Sequence, residues 1–146
     1  GRIVDGDGRP VNDAMLEIWQ ANSHGRYAHP EDTRDLPLDE GFTGWGRVTT
    51  DEEGRFRFNT IKPGRVPASG AVPQAPHLNV TIFMRGMLKQ LVTRMYFDGD
   101  AANVQDPVLS QVPQARRGTL MARPSGAGLD RVPRGRSAPF PAQPWS

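Results

Sequence analysis

The chain has 146 residues, a formal charge of +2 and no cysteine, which suits one domain with a modest core and excludes a disulfide framework or a thiolate metal site. The nearly neutral charge does not indicate nucleic acid binding, and no apolar run reaches the roughly 20 residues of a membrane span. Together with the lack of a signal-like segment, this composition leads us to expect a cytoplasmic protein.

Sixteen glycines and 14 prolines predict many short strands joined by turns rather than a helical bundle. We expect a strand over residues 1–4, a tight turn over 5–11, and a second strand over 14–20 in which apolar and polar residues alternate. Residues 23–46 are predicted to form a long ordered loop. Two further strands are expected over residues 46–50 and 55–60.

The second half of the chain continues the strand pattern. Residues 77–84 and 89–97 are predicted strands, and residues 98–106 a turn or short helix. Five to seven strands with hardly any helical periodicity indicate an all-β fold, an antiparallel β-sandwich over residues 1–123. Residues 124–146 are rich in proline, glycine and arginine, and we expect them to lack a stable fold of their own.

Polar and aromatic residues follow the second strand with no evident structural role. They are Gln20, Asn22, His24, Arg26 and Tyr27. Since loops at the open end of a sheet often carry function, we predict a functional site at this end. The exposed aromatic surface expected around Trp19, Phe42 and Trp45 is a candidate interface with a partner.

Several short motifs follow one another in order along the chain. They are Trp-Gln-Ala-Asn at 19–22, Gly-Arg-Tyr at 25–27, Gly-Trp-Gly-Arg at 44–47, Lys-Pro-Gly at 62–64 and Ala-Pro-His at 75–77. This series resembles the intradiol aromatic-ring dioxygenases over residues 1–123. The resemblance implies a prealbumin-like β-sandwich and a non-haem ferric ion held by two tyrosines and two histidines. Phenolates suit this site because they stabilise iron(III) over iron(II), and imidazoles complete the coordination.

The sequence departs from that ligand set at three of its four positions. The first tyrosine position falls on Arg34 and the second on Val66. In the His-x-His pair, His77 is retained and Asn79 replaces the second histidine. The arginine that shields the reaction intermediate in catalytic members is replaced by Gln74. One ligand cannot hold iron, so we expect neither a metal nor a catalytic residue in this chain.

This pattern of loss resembles the iron-free chains of family members that are built from two related chains. The resemblance implies αβ protomers in a hetero-oligomer, with Fe(III) in an iron-binding beta-type partner that cleaves protocatechuate (3,4-dihydroxybenzoate) with O2. Arg85, in Phe-x-Arg-Gly at 83–86, is the residue expected to reach the substrate. Its planar charged fork suits a carboxylate, although a solvated charge or a subunit salt bridge is an equal alternative.

Two other functions remain open. One is a prealbumin-like binding module without an enzymatic role, which the motif series beyond the first hairpin disfavours. The other is a self-sufficient dioxygenase acting on catechol or hydroxyquinol, and Val66 and Asn79 speak against it.

Overall fold

A computed structural model describes residues 1–67 and 72–123, in which the regular strands form a single sheet. The strands are β1 (Met15–Trp19), β2 (Trp45–Thr49), β3 (His77–Phe83), β4 (Leu91–Phe97) and β5 (Met121–Ala122). Their order across the sheet is β2-β1-β3-β4-β5. Strands β1 to β4 pair antiparallel, and β5 pairs parallel to β4.

Short helical segments connect β4 to β5. They are three 3-10 helices, Ala101–Gln105, Leu109–Gln111 and Gly118–Leu120, and one α-helix, α1 (Gln114–Arg117). The first of them confirms the turn or short helix predicted over residues 98–106. In the described part of the chain, no helix has the length and apolar character needed to cross a membrane. The predicted tail, residues 124–146, lies outside the described residues.

The structure agrees only in part with the expected antiparallel sandwich. The sheet is mixed, and the layer that packs on it contains no regular strand among the described residues. Residues 1–4 and 55–60 are not strands as predicted, and a single bridge between Arg2 and Arg55 joins them. Backbone hydrogen bonds join residues 1–3 to residues 54–56. Phe56 and Phe58 stack with ring centroids 6.2 Å apart and pack onto the sheet, so side-chain packing also holds this layer.

The core lies on one face of the sheet, where alternate residues of β1 and β3 meet. Leu16, Ile18, Leu78 and Val80 form a buried cluster there. Burying side chains of this size stabilises a fold by about 1.5–3 kcal/mol each, so this cluster fixes which face of each strand points inward.

The opposite face carries the residues that the sequence singles out. At one end of the sheet, Trp19 faces Trp45 on β2 and Asn79 on β3, and Asn79 in turn faces Arg94 on β4. Because side chains alternate along a strand, these four residues form a row on the face away from the core. His77 pairs with Tyr96 at the same end of the sheet.

Candidate functional site

Buried amides at the end of β1 hold the long loop in place. Gln20 and Asn22 are only 1% and 3% exposed. The Gln20 amide donates to the carbonyl of Ile61 at 2.9 Å and accepts the hydroxyl of Thr60 at 2.6 Å. Asn22 donates to the carbonyl of Pro37, and its oxygen accepts two backbone N–H groups of the following turn. The prediction that these residues lack a structural role is therefore wrong, because buried amides need such partners.

Two glycines allow the loop after β1 to cross the segment that carries Val66. Gly25 has a φ of +82°, and a Cβ there would lie 2.0 Å from the carbonyl oxygen of Arg65. A Cβ on Gly64 would lie 2.4 Å from the carbonyl oxygen of Ser23. The glycines of Gly-Arg-Tyr and Lys-Pro-Gly thus permit the backbone of residues 23–25 to pack on that of residues 64–65, and Arg34 bonds to the first of these segments.

Arg34, the residue predicted to stand at the first tyrosine position, forms an ion pair with an acid of its own loop. Its Nε donates to Asp32 at 2.6 Å, its Nη2 makes a second contact with the same carboxylate, and it also donates to the Gly25 carbonyl at 3.0 Å. The hydrogen bond from Arg34 holds the pKa of Asp32 well below its usual range. Beside this pair, Trp19 and Tyr27 meet edge to face at 5.1 Å and line an open cavity of about 330 Å³.

Asn79, the residue predicted to replace the second histidine, forms a hydrogen bond with a tyrosine. Its Nδ2 donates to the hydroxyl oxygen of Tyr27 at 3.3 Å. Burial raises the pKa of Tyr27, while the bond from Asn79 and the nearby charge of Arg94 act against that rise. Tyr27 therefore remains a neutral phenol at physiological pH.

Val66 and His77 are the residues predicted at the other two ligand positions. Val66 is buried, and its backbone pairs with that of Gln74 through hydrogen bonds of 3.2 and 2.8 Å. His77 is 1% exposed, and its Nδ1 lies 2.7 Å from the carbonyl oxygen of Ala75, so Nδ1 carries the proton. Burial lowers the pKa of His77 and keeps the ring neutral, and within the described residues its Nε2 has no hydrogen-bond partner.

Arg94 is a residue that the sequence analysis missed. Its Nη1 donates to the side-chain oxygen of Gln74 at 2.7 Å, and its backbone faces Asn79. The predicted alternation over residues 89–97 already placed Arg94 on the face away from Leu91 and Met95. That alternation was a usable signal, because the opposite face proved to be the one with Asn79.

These residues do not fit a ferric ion. The four predicted ligand positions offer a guanidinium, an isopropyl group, a carboxamide and one imidazole. Only the imidazole is a donor that iron(III) accepts readily. Across residues 1–67 and 72–123, no group of three or more His, Cys, Asp or Glu side chains is placed to hold a metal.

Arg85 lies apart from this cluster. It follows the far end of β3, a strand of seven residues that places its ends roughly 20 Å apart, whereas His77 and Asn79 are at the near end. Its side chain is 85% exposed and forms an ion pair with Asp13. The structure does not bring Arg85 together with the other predicted site residues, and its role toward a substrate in a partner stays a prediction.

Of the predicted aromatic surface, two residues are exposed and one is not. Trp19 and Trp45 are 43% and 39% exposed, and the guanidinium of Arg47 lies 5.0 Å from the Trp45 ring. Phe42 is 8% exposed, so the expectation that it belongs to this surface is wrong. The loop turns inward at Phe42 before it enters β2.

A family model described as dioxygenase matches residues 1–128. The chain therefore belongs to the intradiol ring-cleavage dioxygenase family. In solved structures, it resembles the dioxygenase domain of a dioxygenase and carbohydrate-binding protein fusion from Streptomyces sp. SirexAA-E. That similarity has a TM-score of 0.62 and 25% identity, and covers 88% of this chain and 68% of that one.

Both chains of one enzyme are among the relatives. The chain is 48% identical over 126 residues to the protocatechuate 3,4-dioxygenase alpha chain of Burkholderia cepacia, covering 84% of this chain and 60% of that one. It is 43% identical over 151 residues to the beta chain from the same species, covering 94% of this chain and 64% of that one. The chain thus spans less than two thirds of the length of these relatives.

Proposed function

We propose that this chain is a noncatalytic alpha-type subunit of a protocatechuate 3,4-dioxygenase in the cytoplasm. Its partner is a beta-type chain that holds Fe(III) and cleaves 3,4-dihydroxybenzoate between carbons 3 and 4, both atoms of O2 entering 3-carboxy-cis,cis-muconate. This chain walls part of that active site in an αβ protomer. The similarity to the alpha chain of Burkholderia cepacia supports this role.

The observation that carries the proposal is the chemistry at the former ligand positions. Arg34 places a cation where a phenolate is required, and its bonds to Asp32 leave that carboxylate committed to the guanidinium. A metal cation would meet repulsion there instead of an anionic ligand. Val66 offers no donor atom at all, so the isolated chain lacks the means to activate a catechol.

We also propose that residues 1–123 form a β-sandwich. Ile3, Phe56 and Phe58 pack on the core cluster, and this supports a second layer over that face of the sheet. For residues 124–146, composition alone supports the proposal that they add no independently folded unit.

The isolated chain is expected to contain no stoichiometric iron and to lack the visible absorption of a tyrosinate bound to iron(III). Coexpression with a beta-type chain should give a complex that carries both. Size-exclusion chromatography, iron analysis and visible spectroscopy of the two preparations test this. A coloured isolated chain with one iron would favour a self-sufficient dioxygenase, and failure to form any complex would favour a binding module.

Trp45→Ala is expected to weaken pairing with the beta-type chain by about tenfold or more in Kd, because exposed tryptophans in an interface commonly contribute above 1 kcal/mol. Titration calorimetry measures the change. Leu88→Ala, at a fully exposed apolar residue, is the matched control and should leave Kd unchanged. If the Trp45→Ala chain paired as tightly as the control, Trp45 would lie outside the interface.

A further inference from the structure

Arg94 lies on β4 beside several of the predicted ligand positions. It faces Asn79 across the strand pair, and its Nη1 donates to the Gln74 side chain at 2.7 Å. The backbone of Gln74 pairs with Val66 on the neighbouring segment. The partly buried guanidinium is therefore bonded to the segment that pairs with Val66, while the strand register places the Arg94 backbone opposite Asn79.

The charge of Arg94 also acts on the groups around it. Arg94 lowers the pKa of Tyr27, His77 and Tyr96, although burial is the larger cause of the shift in each of them. Burial raises the pKa of the two tyrosines, against the effect of Arg94, and lowers the pKa of His77, in the same direction as Arg94. These groups belong to the long loop, β3 and β4. A single positive charge thus influences three different segments, as a metal ion would.

No carboxylate forms an ion pair with Arg94 within residues 1–67 and 72–123, in contrast to Arg34 and Asp32. The buried carboxylate of Asp106 accepts the hydroxyl of Tyr96 at 3.2 Å and is bound to other groups. The Arg94 guanidinium binds the neutral side-chain oxygen of Gln74, and a hydrogen bond from a charged donor is stronger than one from a neutral donor.

We propose that the Arg94 guanidinium is the fixed cation of this site: it holds the segments around the lost ligand positions together, and it excludes a metal ion. A second cation at the same place would be opposed by repulsion at reduced solvent screening. The inference rests on the iron-free role proposed above. It goes beyond that role, because it assigns the site a cation of its own and predicts that restoring the ligands alone does not restore iron binding.

Stability measurements test the first half. Arg94→Met keeps much of the side-chain volume without the charge, and its melting temperature should fall by roughly 5–10 °C. Arg94→Lys keeps the charge and one donor and should lose less than half as much. Arg9→Gln, at an exposed arginine, is the control and should show no change. A stable Arg94→Met chain, or equal losses for the lysine and methionine variants, would overturn the proposal.

Restoration of the ligands tests the second half. The first variant combines Arg34→Tyr, Val66→Tyr and Asn79→His, and the second adds Arg94→Gln, with folding checked by circular dichroism. Iron stoichiometry and visible absorption are the readouts. Only the second variant should take up Fe(III) and show tyrosinate charge transfer. Equal iron content in both variants, including none in either folded chain, would count against Arg94. Iron in the wild-type chain would instead refute the proposed function.

Discussion

Asp106→Ala is expected to lower the free energy of unfolding by about 3–5 kcal/mol, the largest loss we predict for a single substitution in this chain. Asp106 is fully buried. Its carboxylate accepts the backbone N–H groups of Ala75, Val108 and Leu109 at 2.6 to 2.9 Å, and the hydroxyl of Tyr96 at 3.2 Å. Alanine would leave these donors without a partner in the interior.

Thermal and denaturant unfolding of three variants measure this effect. Asp106→Asn keeps one acceptor oxygen and should fall between Asp106→Ala and the wild type. Asp98→Asn, at a half-exposed carboxylate that forms a 3.7 Å ion pair with Arg123, should stay within about 0.5 kcal/mol of the wild type. An Asp106→Ala chain as stable as Asp98→Asn would mean that water replaces the carboxylate without cost.

The four longer strands could be predicted from the sequence because apolar and polar residues alternate in β1, β3 and β4, and turn residues flank β2. All four begin and end within two residues of their predicted positions. The same reasoning failed over residues 55–60, although Arg55, Phe56, Arg57 and Phe58 alternate as a strand should. Alternation indicates only that one side of a segment packs against something. Phe56 and Phe58 are partly buried because they pack onto the face of the sheet, and residues 55–60 are not themselves a strand of that sheet.

The site was predictable to the extent that it follows a family pattern. The positions of Arg34, Val66 and Asn79 came from motif order, and no rule of composition or spacing would have found them. The sequence predicted only a turn or short helix at Asp106 and not its buried role. Its partners include a backbone N–H group of a remote segment, which no local pattern reveals. Gln20 and Asn22 were misjudged since an amide that crosslinks loops and an amide that binds a ligand look alike in a sequence.

Arg85→Ala is expected to reduce kcat/KM for protocatechuate by about tenfold or more in the assembled αβ enzyme, if the partner covers this residue and its guanidinium binds the substrate carboxylate. In the isolated chain the side chain is 85% exposed and bound to Asp13, so the effect depends on shielding by the partner. Catechol has no carboxylate, and its kcat/KM should change much less.

Asp13→Asn separates this role from the ion pair that Arg85 makes in its own chain. It removes the negative charge beside Arg85 while keeping the guanidinium, so kcat/KM for protocatechuate should stay near the wild-type value. Steady-state kinetics with both substrates, on complexes whose assembly is checked by size-exclusion chromatography, compare the two variants. Equal losses for protocatechuate and catechol would assign Arg85 to the fold or the interface, because only a contact with the carboxylate distinguishes the two substrates. Unchanged kinetics with both would place Arg85 outside the active site of the partner.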